Sequence, residues 1–111
     1  MPQSFKYAGK HLYAEGIAVR SLAERFGTPL YVYSRNHFRG QYRALARAMA
    51  PMKPLLCYSM KANSNRAILR TLLAEGAGVD VVSGGELFVA LRAGANPSKV
   101  VFAGVGKTTD E

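Results

Sequence analysis

A chain of 111 residues, 49% of them hydrophobic, has material for one small domain with a packed core and is too apolar to be disordered. It holds no run of roughly 18 apolar residues that could span a membrane. Its single cysteine, Cys57, excludes an internal disulfide and a thiolate metal cluster. The net charge of +8 leaves nucleic acid, an anionic surface or an anionic small molecule open as partners.

The opening residues Met1 to Lys6 carry no apolar leader and read as a cytoplasmic beginning. Residues 11–19 are expected to form two short strands around a Glu15-Gly16 turn. A short helix should cover Arg20 to Phe26, stopped by Gly27 with Pro29 just beyond. Leu30 to Tyr33 is β-rich and extended. Ser34 can cap a helix that ends near Ala50-Pro51. On that helix Arg35, Arg39, Arg43 and Arg47 make one stripe, and Phe38, Tyr42, Leu45, Ala46 and Met49 make the opposite one. The arginine stripe reads as a solvated face. Nucleic-acid binding is disfavoured, because no platform of aromatic and basic residues accompanies it.

From Pro54 the pattern repeats. A strand over Leu55–Met60 precedes a helix over Ser64–Glu75, with Ile68, Leu69, Leu72 and Leu73 inward and Gly76 at its end. A strand over Val79–Val82 precedes a helix that opens on the capping box Ser83-Gly84-Gly85-Glu86 and runs to Arg92. After Gly94 and the Asn96-Pro97 turn comes a third strand, Val100–Ala103. Near-continuous apolar strands in the order β-α-β-α-β indicate a parallel sheet covered by helices. Three strands cannot close a barrel, which takes roughly 250 residues, so the architecture reads as part of a longer chain.

Two residues stand out as candidates for chemistry. Alternation puts Leu55, Cys57, Ser59 and Lys61 on one face of the first strand and Leu56, Tyr58 and Met60 on the other. Lys61 then sits at the C-terminal mouth of the strand, where barrel active sites lie. A partly desolvated lysine there has a lowered pKa, and its neutral amine condenses with aldehydes. A solvated loop lysine is the competing reading from position alone. Asp80 repeats the placement one strand later, on the face of Gly78 and Val82 and opposite Val79 and Val81. A carboxylate within an apolar strand needs a partner, either a cation or a ligand at the strand mouth; an edge aspartate or one paired with an arginine is the alternative. Cys57 reads as a buried structural thiol. Glu86 is explained by the capping box, and the exposed N–H groups of Gly84 and Gly85 make a weak candidate anion site. His11 and His37 have no ligand-spaced companions, so no metal is expected.

The run Cys57-Tyr58-Ser59-Met60-Lys61-Ala62-Asn63 resembles the Y-A-x-K-A-N motif of pyridoxal-phosphate (PLP) decarboxylases of the alanine racemase-like fold. Gly78 to Leu87 looks like the family's second motif, and Gly27 to Tyr33 and Val101 to Thr108 are similar to signatures of its diaminopimelate decarboxylase branch. Ser59 stands where alanine is usual. The resemblance implies an α/β fold, the first part of a PLP-binding (β/α)8 barrel over residues 35–111. Residues 1–34 would precede it, their strands joining a C-terminal β-sandwich domain. It implies that Lys61 carries PLP and that Asp80 lies beside the cofactor. It further implies decarboxylation of meso-diaminopimelate to L-lysine and CO2, the last step of lysine biosynthesis, by a cytoplasmic homodimer that binds neither nucleic acid nor membrane. Ornithine, arginine and carboxynorspermidine decarboxylases or a racemase of the same fold are the nearest alternatives. A non-catalytic PLP carrier or a basic binding module is the alternative of another class.

Overall fold

The computed structural model describes residues 3–111. Two three-stranded sheets organise it. The first is antiparallel, in the order β1 (Phe5–Ala8), β2 (His11–Ala14), β3 (Ile17–Ala18). The expected pair of strands around Glu15-Gly16 is present, and β1 adds an outer strand whose four residues are all exposed and gave no burial signal in the sequence. Glu15 (φ 51°) and Gly16 (φ 97°) are both left-handed, which a two-residue hairpin loop requires to match the strand twist. Helix α1 (Val19–Phe26) follows and ends at Gly27, whose N–H returns to the Ala23 carbonyl at 2.8 Å. Residues Leu30 to Tyr33 join no ladder, contrary to their β-rich composition: Tyr31 and Tyr33 stay exposed, so no buried face recruits the segment into a sheet.

Helix α2 (Arg35–Met49) starts where expected, with the Ser34 hydroxyl accepting the His37 N–H at 2.9 Å. Its arginine stripe is only partly solvated. Arg39 and Arg43 both bind Glu75 at the end of the next helix, with Nε–Oε1 and Nε–Oε2 distances of 2.7 and 2.5 Å. These contacts dock α2 beside α3 (Arg66–Ala74), while Phe38 and Tyr42 pack on Ile68, Leu72 and Ala77. Helix α3 begins two residues later than its pattern indicates, because Asn65 rather than Ser64 turns its side chain to the Ala67 N–H.

The second sheet is parallel, in the order β4 (Cys57–Ser59), β5 (Gly78–Val81), β6 (Val100–Phe102), with Ser59 opposite Asp80 and Asp80 opposite Val101. All three strands are shorter than or offset from the apolar runs that signal them, because ladder bonds end where the chain turns toward the next helix. Strand β4 gives way at Met60 to a 3-10 turn over Met60–Ala62. The sheet's covered face carries Tyr58, Val79, Val81, Val100 and Phe102 against Leu69 of α3 and Ala90 and Ala93 of α4 (Gly84–Ala93). Met60, Leu69, Val79 and Val81 are the large side chains fully enclosed there.

The opposite face is bare. Leu55 and Val101 are each 49% exposed, and Cys57, expected to be buried, is only half-buried. Gly78 is required on that face: a Cβ there would lie 2.5 Å from the Lys99 carbonyl oxygen and 2.8 Å from Cys57 Sγ. The radius of gyration is 16.8 Å, against about 13 Å for a compact domain of this length. The chain therefore builds one covering layer and an uncovered sheet.

Candidate active site at the strand mouths

The C-terminal ends of β4 and β5 bring the two singled-out residues to one end of the sheet. Lys61 lies in the 3-10 turn that leaves β4, two residues beyond Ser59, the last residue of the strand. Its side chain is exposed and makes no hydrogen bond or ion pair among the described residues. The turn itself is held firmly. Met60, just before Lys61, is completely buried in the core. Just after it, the Tyr58 hydroxyl donates to the Asn63 carbonyl at 2.9 Å, and Asn63 Oδ1 accepts the Asn65 N–H at 3.0 Å. Burial pushes the Tyr58 phenol up from its usual pKa, so it remains a donor. An exposed lysine side chain thus stands on a backbone held from both sides.

Asp80 is half-buried in β5, and its Oδ1 is enclosed with no hydrogen-bond partner. No arginine or lysine pairs with it among the described residues, so the structure does not bear out the reading of an arginine-paired aspartate. Ser59, its register partner, is also half-buried and makes no side-chain hydrogen bond among the described residues. A buried carboxylate oxygen without a partner is costly unless a donor arrives from elsewhere.

Around these two, the helix starts are occupied. Ser83 Oγ accepts the Glu86 N–H at 3.1 Å, as the capping box requires, but the Glu86 carboxylate takes the Val82 N–H at 2.8 Å instead of that of Ser83. The Gly84 N–H does not wait for an external anion: Glu111 Oε1 accepts it at 3.1 Å. Glu111 Oε2 accepts the Thr108 N–H at 3.0 Å, and the Glu111 N–H returns to Thr108 Oγ1 at 3.3 Å. This reciprocal pair has the hydrogen-bond pattern of a capping box, T-x-x-E, over Thr108-Thr109-Asp110-Glu111. The Thr108 and Gly84 N–H groups hold the Glu111 carboxyl below the usual range. They also order the loop after β6, where Lys107 Nζ reaches the Gly104 carbonyl. Nothing of this kind brings His11 or His37 to the site.

An exposed lysine on a rigid turn beside a buried, unpartnered carboxylate oxygen, on an open sheet face, fits a group that bonds covalently to an amine and offers a cation or N–H to the acid. Residues 35–111 match the family model described as pyridoxal-dependent decarboxylase, pyridoxal binding domain. The diaminopimelate decarboxylase of Pseudomonas aeruginosa is 56% identical over 108 residues, which cover 97% of this chain and 26% of that protein. A crystal structure from Aquifex aeolicus superposes with a TM-score of 0.91 at 44% identity, over 97% of this chain and 27% of the other. The diaminopimelate decarboxylase of M. jannaschii in complex with L-lysine also gives a TM-score of 0.91, at 35% identity, over 96% of this chain and 26% of its own. The chain spans about a quarter of the length of the proteins it matches. It belongs to the pyridoxal-dependent decarboxylases, with residues 35–111 falling in their pyridoxal-binding domain.

Proposed function

We propose that the full-length protein carrying this chain is a diaminopimelate decarboxylase, which removes CO2 from meso-diaminopimelate to leave L-lysine. The observation that carries the proposal is the enclosed, unpartnered Asp80 Oδ1 at the same strand mouths as Lys61, in a chain 56% identical to a diaminopimelate decarboxylase. Pyridoxal phosphate, when bound, supplies an electron sink for the electron pair left on carbon as CO2 departs.

The chain's own residues have four tasks. Lys61 Nζ holds the cofactor through its amine, a bond that a guanidinium in its place would not form. Asp80 Oδ1 accepts a hydrogen bond or offers a counter-charge, which ends its isolation. Tyr58 and Asn63 keep the Lys61 turn in place. The bare face with Leu55, Cys57, Ser59 and Val101 is closed by the strands of the remaining chain, which excludes water from the reacting groups. In the same proposal, residues 1–34 pack with the rest of the protein as a segment distinct from the barrel over 35–111, and the working form is a cytoplasmic homodimer. No helix among the described residues is long and apolar enough to cross a membrane.

The test is release of labelled CO2 by the full-length protein from meso-diaminopimelate, ornithine, arginine and carboxynorspermidine in parallel. A kcat/KM for meso-diaminopimelate at least a hundredfold above the others supports the assignment. A higher value for any of the other three transfers the protein to that activity.

A further inference from the structure

Arg35, Arg66 and Arg70, with Ala67 and Thr71, line an open cleft of about 560 Å3 between α2 and α3. Arg35 is the first residue of α2, Arg66 is the first residue of α3, and Arg70 follows one turn later on the same helix. All three side chains are exposed, and none makes an ion pair or hydrogen bond among the described residues. The contrast lies along the same pair of helices. Arg39 and Arg43 share Glu75, the acid that the α2–α3 contact provides, and among the described residues no acid lines the cleft. Glu15 lies near Arg35, but its carboxylate is engaged by the Ser34 hydroxyl and by the backbone and side-chain N–H groups of Asn36.

This arrangement works against the fold. Arg66 and Arg70 are like charges at i and i+4. Arg35 and Arg66 are cations at helix starts, where the backbone already presents positive ends, and neither first turn contains an acid. A local conflict of this kind, eased among the described residues only by the Glu15 charge near Arg35, is what a ligand-completed site presents. Guanidinium forks pair in a bidentate way with phosphate oxygens, and three of them around one cleft suit a ligand with more than one phosphate charge. We propose that this cleft binds a phosphate-bearing polyanion of about the size of pyrophosphate, at a site separate from Lys61 and Asp80.

The test uses full-length protein loaded with pyridoxal phosphate, so that the cofactor's own phosphate subsite is filled. Inorganic pyrophosphate is titrated calorimetrically at low ionic strength, with malonate as a dicarboxylate control. The expected result is saturable pyrophosphate binding at least tenfold tighter than malonate. It should weaken at least tenfold in Arg66→Gln/Arg70→Gln and stay unchanged in Arg20→Gln, an arginine far from the cleft in sequence and already paired with Glu24. If the double variant fails to fold, Arg70→Gln alone is read against the same threshold. Absence of pyrophosphate binding, equal binding of malonate, or equal affinity in the arginine variant overturns the proposal. The titration does not depend on decarboxylation, so failure of the proposed reaction leaves it readable.

Discussion

Tyr58 and Asn63 are joined by a 2.9 Å hydrogen bond from phenol to backbone carbonyl that spans the turn holding Lys61. The tyrosine ring belongs to the core on the helix side of the sheet, so the core itself sets the position of the lysine backbone. Tyr58→Phe keeps the packing and removes the bond. The expected cost is about 1 kcal/mol of stability, and reconstitution of the apoprotein with pyridoxal phosphate should slow. Denaturant titration and the absorbance of the bound cofactor measure the two effects. Unchanged reconstitution would leave Tyr58 a packing residue only.

Asp80 is expected to serve the ligand at some expense to the fold. Asp80→Asn preserves shape and removes the charge beside the enclosed Oδ1. Apoprotein stability should stay level or rise, while cofactor affinity or turnover should fall tenfold or more, equivalent to about 1.4 kcal/mol. Thermal melting with and without cofactor separates the terms. A variant that melts early as apoprotein yet binds cofactor normally would make Asp80 structural.

Glu15 fastens the N-terminal hairpin to the start of α2. The Ser34 hydroxyl and the Asn36 N–H groups lower its pKa from 4.5. A depressed carboxylate pKa contributes stability that is present above 4.5 and is lost as pH falls through the folded value. Glu15→Gln should therefore cost about 1 kcal/mol at neutral pH, after allowance for solvent around the carboxylate. The difference from the native protein should shrink below pH 4.5. Melting curves across that range test it; a constant difference would remove the charge from the account.

Residues 1–111 expressed alone should aggregate or remain loosely packed. Strands β4 and β6 are both edges, and Leu55 and Val101 face water on the bare side. At roughly 25 cal/mol per Å2, a few hundred Å2 of uncovered apolar surface forgoes about 10 kcal/mol, comparable with the stability of a whole domain. Near-UV circular dichroism and sedimentation decide the point. A monodisperse, cooperatively melting fragment would contradict it.

The parallel sheet was legible because its strands are apolar runs separated by capped helices: Ser34, Gly27, Gly76, Ser83 and Gly94 each perform the terminal role their chemistry assigns. The pairing of Arg39 and Arg43 with Glu75 was hidden, since it joins residues 36 and 32 positions apart and depends on how two helices dock. The same holds for Glu15 with Ser34 and for Glu111 with Gly84. At the site, Lys61 and Asp80 could be placed at the strand mouths by alternation, although Lys61 sits on a 3-10 turn that alternation cannot foresee. The orphaned oxygen of Asp80 required the folded chain to show it.

The central claim is that Lys61 holds the cofactor. Full-length protein loaded with pyridoxal phosphate is reduced with borohydride, digested, and the modified peptide is sequenced. One label is expected, on Lys61, and in Lys61→Arg both that label and decarboxylation should be lost. A label on Lys53 or Lys107, or full activity in Lys61→Arg, would contradict it.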